Sequence, residues 1–155
     1  MKVREPFAEK NSPIMISACL LGIHCRYDGW HSLCPDLADF VISVSFIPFC
    51  PEQLGGLPTP RPPANITGGD GRDILLGGAN VVNGSEEDVT DSFNKGAQEA
   101  LRLAALAGAT FAIMKDKSPS CGLITPYCEK SSGLGIGVTA ALFEMHNIKV
   151  YKLVP

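Results

Sequence analysis

The stretch Ile14-Met15-Ile16-Ser17-Ala18-Cys19 is a short, mostly apolar run that leads directly into a cysteine. Two later stretches repeat this arrangement: Phe46-Ile47-Pro48-Phe49 leads into Cys50, and Thr110-Phe111-Ala112-Ile113-Met114 precedes Cys121. Such runs are typical of strands that are buried on both faces of a parallel sheet. The carboxyl ends of parallel strands share one edge, where open α/β folds bind their ligands. The sequence therefore predicts that three thiols converge at one sheet edge.

Strands and helices alternate along the rest of the chain. We predict strands at 14–21, 44–49, 110–115 and 149–154, and helices at 32–40, 88–108 and 138–147. Residues 51–63 are rich in proline and are expected to form a loop rather than a helix, with a glycine pair that lets a ligand approach the backbone. Residues 64–84 are expected to form a small β-arm or hairpin.

This order of elements predicts the domain organisation and the fold class. A β-α-β unit, an arm, and then α-β-α-β favour a mainly parallel sheet covered by helices. We therefore expect a single-domain, three-layer, Rossmann-like α/β fold with a small β-arm. Residues 1–13 are expected to form a flexible N-terminal arm, and residues 14–155 the domain.

Composition excludes several classes of function. The chain has 155 residues, of which 45% are hydrophobic and 19% charged, so it can bury a core of its own. A net charge of −3 provides no electrostatic surface for duplex nucleic acid. No apolar run reaches membrane-spanning length. None of the six cysteines forms a C-x-x-C pair, so neither zinc-ribbon nor thioredoxin spacing applies. We expect a reduced, cytoplasmic protein.

The residues around the three converging cysteines favour a chemical site. Three thiolates without a fourth suit a soft metal or an iron–sulfur cluster that keeps one coordination position open. Glu52 lies two residues after Cys50, where a carboxylate can act as a general acid or base. Ser118 and Ser120 precede Cys121, and their hydroxyls can bind a cluster or a substrate. The plainer reading of a single buried cysteine is a small hydrophobic side chain.

Other residues carry weaker signals, and their alternatives stay open. Cys25 is a fourth ligand, a resolving thiol or a residue without a role, and we favour a position near the site. Arg61 holds a phosphate or a carbonyl, or pairs at the surface. We expect Cys34 to pack in the core from within a helix, and Cys128 to be exposed. The glycine-spaced segment 133–137 before a helix can offer amides to an anion.

Several motifs together resemble one protein family. They are Ser17-Ala18-Cys19-Leu20-Leu21-Gly22 with Cys25-Arg26-Tyr27-Asp28-Gly29, the segment from Cys50-Pro51-Glu52 to Pro62-Pro63-Ala64, Ser118-Pro119-Ser120-Cys121-Gly122, and the glycine-rich start of the last helix. From about residue 14 to the C-terminus, the chain resembles the bacterial thiouracil desulfidase family. The second of these motifs is the longest and the most specific.

The resemblance implies a [4Fe-4S] cluster, sensitive to oxygen and absent from protein prepared in air, held by Cys19, Cys50 and Cys121. The fourth iron would bind the sulfur of a thiolated pyrimidine, water would replace that sulfur, and hydrosulfide would leave without net redox change. Glu52 and Ser118 would form the catalytic pair. We expect substrate contacts from Cys25, Asp28, Arg61 and Ser120.

The resemblance also implies the class of partner. The substrate would be thiouracil or a thiouridine nucleotide, and no membrane partner is expected. Some members of the family carry a second C-terminal domain that this sequence lacks, so a large RNA substrate is not expected. Two other classes of function stay open: a non-catalytic module that binds a metal and a nucleotide, and a thiol redox sensor that uses Cys19 and Cys25.

Overall fold

The structure, a computed structural model, describes residues 12–153. Residues 1–11 of the predicted arm and the last two residues of the predicted domain therefore lie outside the described residues. The strands are β1 Ile14–Ser17, β2 Phe46–Phe49, β3 Ala64–Thr67, β4 Asn80–Asn83, β5 Phe111–Lys115 and β6 Lys149–Leu153. The α-helices are α1 Pro35–Phe40, α2 Pro51–Leu54, α3 Gly71–Leu75, α4 Thr90–Ala107 and α5 Val138–Met145.

Four strands form a parallel sheet in the order β2-β1-β5-β6. All four carboxyl ends therefore lie at the same edge. The chain leaves β1 to form β2 on one side, and later forms β5 and then β6 on the other side. The direction of winding reverses between β1 and β5, which is where doubly wound folds bind ligands. This topology confirms the predicted mainly parallel sheet.

Alternate residues of the central strands face opposite layers. Ile14 and Ile16 of β1 pack with Leu37 of α1. Met15 packs on the other face with Ala100 of α4 and, in the same cluster, with side chains of α5. Because both faces are covered, these strands are apolar throughout rather than alternating. The three-layer prediction is confirmed.

The β-arm is present, but it is not built entirely from strands. β3 and β4 pair antiparallel, as the hairpin prediction required. Between them lies the short helix α3, which contains Ile74 and Leu75. Asp70 and Asp73 cap this helix in a reciprocal capping box. The expectation that these apolar residues belong to a strand was wrong, because the cap stabilises a helical turn at this point.

The proline-rich loop begins with a helix, contrary to our prediction. Pro51 occupies the first position of α2, where its fixed φ suits a helix and its missing N–H costs nothing. The helix packs against α4, where a Cβ on Gly55 would overlap the Ser92 carbonyl, and one on Gly96 the Pro51 carbonyl. Gly55 therefore allows a helix, rather than a ligand, to approach the backbone.

The two long helices differ in how well the sequence predicted them. In α4 Phe93, Ala97 and Ala104, which recur at helical spacing in the sequence, are buried, and Gly108 ends the helix in a left-handed conformation with φ +66°. Helix α5 was predicted as a helix at 138–147, and a helix that covers a sheet usually buries one face only. Instead, residues 138–143 are all buried, since the helix lies between the sheet, α4 and α3. Over these six residues, α5 is therefore buried on all sides rather than on one face.

Candidate active site

A cavity of about 420 Å³ lies at the carboxyl ends of β1, β2 and β5. Its walls come from the ends of these strands, the start of α2, the proline-rich loop and the first strand of the hairpin. The lining residues that carry chemistry are Ser17, Cys19, Cys25, Arg26, Tyr27, Cys50, Glu52, Arg61, Asn65, Lys115, Lys117, Ser118, Ser120, Cys121 and Tyr127. The cavity thus lies where the sheet changes winding direction.

The three strand-end cysteines all line this one cavity. Cys19 and Cys121 are buried, and Cys50 is half-buried. Cys25 is also in the wall and is only 1% exposed, so it lies near the site as favoured. All six cysteines are free thiols. The tertiary structure therefore brings four thiols to the cavity, one more than the strand pattern alone predicted.

The thiols of Cys25, Cys50 and Cys121 hold their protons tightly. A hydrogen bond with Cys19 raises the pKa of the Cys25 thiol to about 11. A hydrogen bond with Cys25, together with burial, raises the pKa of Cys50. Burial raises the pKa of Cys121 to about 12. Only the thiolate ligates metal, so occupation of this site must release protons.

The donor set suits a cluster better than a single ion. Within residues 12–153, no three His, Cys, Asp or Glu side chains are placed to hold one metal ion together. In an iron–sulfur cluster each cysteine binds a different iron, so the thiols need not meet at a point. Cys19, Cys50 and Cys121, spread around the wall of one cavity, fit that requirement.

Glu52 is held inside the cavity wall rather than in solvent. It lies in the first turn of α2, and its side chain is 15% exposed. Its Oε1 accepts a hydrogen bond from Arg61 Nε at 3.1 Å, and its Oε2 accepts one from Ser120 Oγ at 2.9 Å. Both carboxylate oxygens therefore have a fixed partner, and each keeps acceptor capacity for a molecule in the cavity.

Arg61 is committed to the protein rather than to a ligand. Its side chain is 4% exposed. Besides Glu52, its guanidinium donates to the carbonyls of Pro58 and Cys25 and to the hydroxyl of Thr59. Four of its five N–H donors are thus engaged. The structure thus uses Arg61 to hold protein groups, and the expected substrate contact by Arg61 stays a prediction.

Ser118, Ser120 and Cys121 form a tight loop at the base of the cavity. Ser118 Oγ accepts hydrogen bonds from the amides of Ser120 and Cys121 at 3.2 and 3.1 Å. The loop is anchored to α5, because the amides of Val138 and Thr139 donate to the carbonyls of Pro119 and Ser120. These helix N-terminal amides are therefore occupied, and the anion site expected before α5 is not available.

The remaining predicted residues lie in different places. Asp28 is not part of the cavity lining. It pairs with Arg26, which does line the cavity. Cys34 packs half-buried against the core as expected, but from the residue before α1 rather than within it. Cys128 was expected to be exposed, which was wrong. It is half-buried, and its thiol donates to the Thr125 carbonyl at 3.4 Å.

Sequence reasoning did not place Asn65 or Tyr27 in the cavity wall. Asn65 reaches the cavity because the hairpin folds over it, and no local pattern indicates this. Tyr27 and Tyr127 are 43% and 48% exposed at its mouth. Tyr127 is placed there by its carbonyl, which accepts from the Ile66 amide in β3. Exposed aromatic side chains beside a cavity are a signal for ligand contact, but they are visible only after folding.

Comparison with known proteins identifies the family. The model of the 2-thiouracil desulfurase family matches residues 14–153, which is nearly the whole chain. The chain belongs to this family. The matched region includes every cysteine and every polar residue of the cavity. The match to the 2-thiouracil desulfurase family therefore covers every strand and helix that the structure describes.

Two relatives of this 2-thiouracil desulfurase family member are informative. The uncharacterized protein YbbK of Bacillus subtilis strain 168 is 43% identical over 140 residues, covering 88% of this chain and 93% of its own. The solved structure of the [4Fe-4S]-dependent thiouracil desulfidase TudS is similar, with a TM-score of 0.76 and 38% identity. That similarity covers 91% of this chain and 90% of the other. No helix in the described part of this chain is long and apolar enough to cross a membrane.

Proposed function

We propose that this chain is a [4Fe-4S]-dependent enzyme that removes sulfur from thiolated pyrimidines without net redox change. The observation that carries the proposal is the 2-thiouracil desulfurase family match together with the three cysteines around one cavity. The similarity to the [4Fe-4S]-dependent desulfidase TudS supports the same reaction. The product would be the uracil or uridine form of the substrate, and hydrosulfide would be released.

Cys19, Cys50 and Cys121 would hold the cluster. They come from three different loops at one sheet edge, and each is the first or only cysteine after its strand. When bound, such a cluster with one open iron supplies a Lewis acid that accepts sulfur. Cys25 would stay a thiol in the cavity wall beside Cys19.

Glu52 would remove a proton from the attacking water. A carboxylate fixed by two donors keeps free acceptor positions for a water molecule, as its geometry with Arg61 and Ser120 allows. Ser118 would complete the catalytic pair from the loop that carries Cys121. Both residues belong to the cavity wall, so a substrate there would lie between them.

The substrate would be thiouracil or a thiouridine nucleotide. Of the four cationic side chains in the cavity lining, Arg61 is paired with Glu52 and Arg26 with Asp28, so Lys115 and Lys117 supply the remaining positive charge. This remaining charge favours an anionic ligand and supports the nucleotide. The half-exposed rings of Tyr27 and Tyr127 offer stacking surfaces for a pyrimidine. We place the protein in the reducing cytoplasm, where free thiols persist.

The two other classes of function have less support. A redox sensor needs an accessible thiol of low pKa, whereas Cys25 is buried and its pKa is raised. A non-catalytic binding module would not need the free acceptor positions that Glu52 keeps toward the cavity besides its bonds to Arg61 and Ser120. The position of Glu52 therefore favours an enzyme.

Anaerobic reconstitution tests the proposal. The protein is loaded with iron and sulfide, and both are quantified. It is then mixed with 4-thiouracil or 4-thiouridine monophosphate, and hydrosulfide and the oxygenated pyrimidine are measured. We expect a brown protein that produces both products in equal amounts. A colourless zinc-bound protein without turnover would support the binding module, and a metal-free protein with a Cys19–Cys25 disulfide would support the sensor.

A further inference from the structure

A chain of hydrogen bonds joins the loop of Cys121 to Glu52. Ser118 Oγ lies 3.1 Å from Ser120 Oγ, and Ser120 Oγ lies 2.9 Å from Glu52 Oε2. Ser120 is 2% exposed, so water does not compete for its hydroxyl. The first and last members of this chain are the residues of the proposed catalytic pair, and Ser120 is the link between them.

The donors and acceptors in this chain have a definite direction. A hydroxyl has two acceptor positions and one proton. Both acceptor positions of Ser118 Oγ are filled by the amides of Ser120 and Cys121, so its proton points to Ser120 Oγ. Ser120 then gives its own proton to Glu52. Cys121 Sγ is the other acceptor near Ser120, but at 3.8 Å it is more distant than Glu52 Oε2 at 2.9 Å.

We propose that Ser120 is a positioning residue for Glu52, with its hydroxyl oriented by Ser118. This proposal rests on the function proposed above. Arg61 on Oε1 and Ser120 on Oε2 together fix the plane of the carboxylate and aim its free acceptor positions into the cavity. Without Ser120, the carboxylate can rotate about its bond to Cγ, since Arg61 holds one oxygen only.

The backbone of Ser120 makes contacts that do not depend on its side chain, so the role of the hydroxyl can be tested separately. Its carbonyl accepts hydrogen bonds from the amides of Thr139 and Ala140 at the start of α5. These bonds do not involve the hydroxyl. Replacement of Ser120 by alanine therefore removes the contact with Glu52 and retains the anchor of the loop that carries Cys121.

The experiment compares Ser120→Ala, Ser118→Ala and Glu52→Gln, singly and in pairs, after anaerobic cluster loading. We expect Ser120→Ala to keep its iron and its KM for 4-thiouracil while kcat falls about 10²-fold, as for a misplaced catalytic group. Ser120→Thr retains the hydroxyl and should recover much of that loss. Ser43→Ala is the matched control, because Ser43 Oγ donates to one carbonyl outside the cavity.

The paired variants separate positioning from a general structural effect. In the Glu52→Gln background, Ser120→Ala should cause little further loss of kcat, because the group that it positions has already been removed. Urea unfolding of the cluster-free protein gives a second test. The double variant Glu52→Gln/Ser120→Ala should shift the urea midpoint by less than the sum of the shifts in the two single variants.

Contrary results are equally clear. Wild-type kcat in Ser120→Ala, or an undiminished effect of Ser120→Ala in the Glu52→Gln background, would overturn the positioning role. Ser120→Thr adds a methyl group at a buried site. If this variant fails to fold, the paired variants still test the positioning role of Ser120. A wild-type protein that is loaded but does not desulfurate would contradict the proposed function instead. Additive urea midpoints would then still reject the Ser120–Glu52 link.

Discussion

Arg61 Nε donates to Glu52 Oε1 at 3.1 Å within the cavity wall, while Nη2 of the same guanidinium donates to the Cys25 carbonyl at 2.9 Å. One side chain therefore connects the loop after β1 to the helix after β2. Ser120 connects the same carboxylate to the loop after β5. The three loops that carry the cysteines are thus tied together through Glu52, and their relative positions depend on this buried pair.

Arg61→Ala should destabilise the cluster-free protein by about 3–5 kcal/mol, because it removes the cationic partner of a largely buried carboxylate and the shorter of two hydrogen bonds to the Cys25 carbonyl. Urea unfolding measures this change. Arg72→Ala is the matched control: Arg72 pairs with Glu144 at the same 3.1 Å, but the two side chains are 56% and 38% exposed. The control should lose about 0–1 kcal/mol. Equal losses in the two variants would show that the Arg61 pair has no special role.

Glu52→Gln should retain cluster and substrate binding but lose turnover. Glutamine keeps the shape and one acceptor oxygen, whereas it lacks the basic oxygen that accepts a proton. The loss of a general base typically costs about 10²–10⁴-fold in rate. Iron content, binding of 4-thiouracil and the rate of hydrosulfide release are measured on the same preparation. A variant with full iron and unimpaired turnover would remove Glu52 from the mechanism and direct attention to Ser118.

Single replacements of Cys19, Cys50 and Cys121 by serine should each abolish stable cluster loading, since a cluster with only two cysteine ligands is poorly held. Cys34→Ser combined with Cys128→Ser is the control, because neither residue lines the cavity. This double variant should bind the same amount of iron and sulfide as the wild type. Loss of iron from the control would mean that the ligands have been wrongly chosen.

Gly96→Ala should destabilise the protein, although alanine is intrinsically the better helix former by about 1 kcal/mol. A Cβ at Gly96 would overlap the Pro51 carbonyl and displace α2, which carries Glu52 and follows Cys50. We expect a loss of about 1–3 kcal/mol in urea unfolding, with a lower iron content after reconstitution. Gly78→Ala, which meets no atom closer than 3.8 Å, is the control. A stabilised Gly96→Ala variant would contradict the close contact of these helices.

The fold was largely predictable from the sequence, because its strands are local patterns. Each apolar run before a cysteine is one strand, and the spacing of Phe93, Ala97 and Ala104 sets the buried face of α4. Errors occurred where a cap or a proline acts on a few residues. The capping box at Asp70 starts α3, and Pro51 starts α2. In these short segments, the capping box outweighs the strand-like apolar residues of α3, and the first-turn proline outweighs the loop-like composition after Cys50.

The sequence by itself determined which residues meet at the sheet edge, since parallel strands must place their carboxyl ends together. Cys19, Cys50, Glu52, Ser118 and Cys121 follow from that rule. Only the tertiary structure decided that Cys25 joins them, that Asp28 pairs with Arg26 outside the cavity lining, and that Arg61 and Ser120 hold the two oxygens of Glu52. The reason is physical: strand direction is a property of a short segment, whereas the partner of a buried polar side chain depends on how distant loops pack.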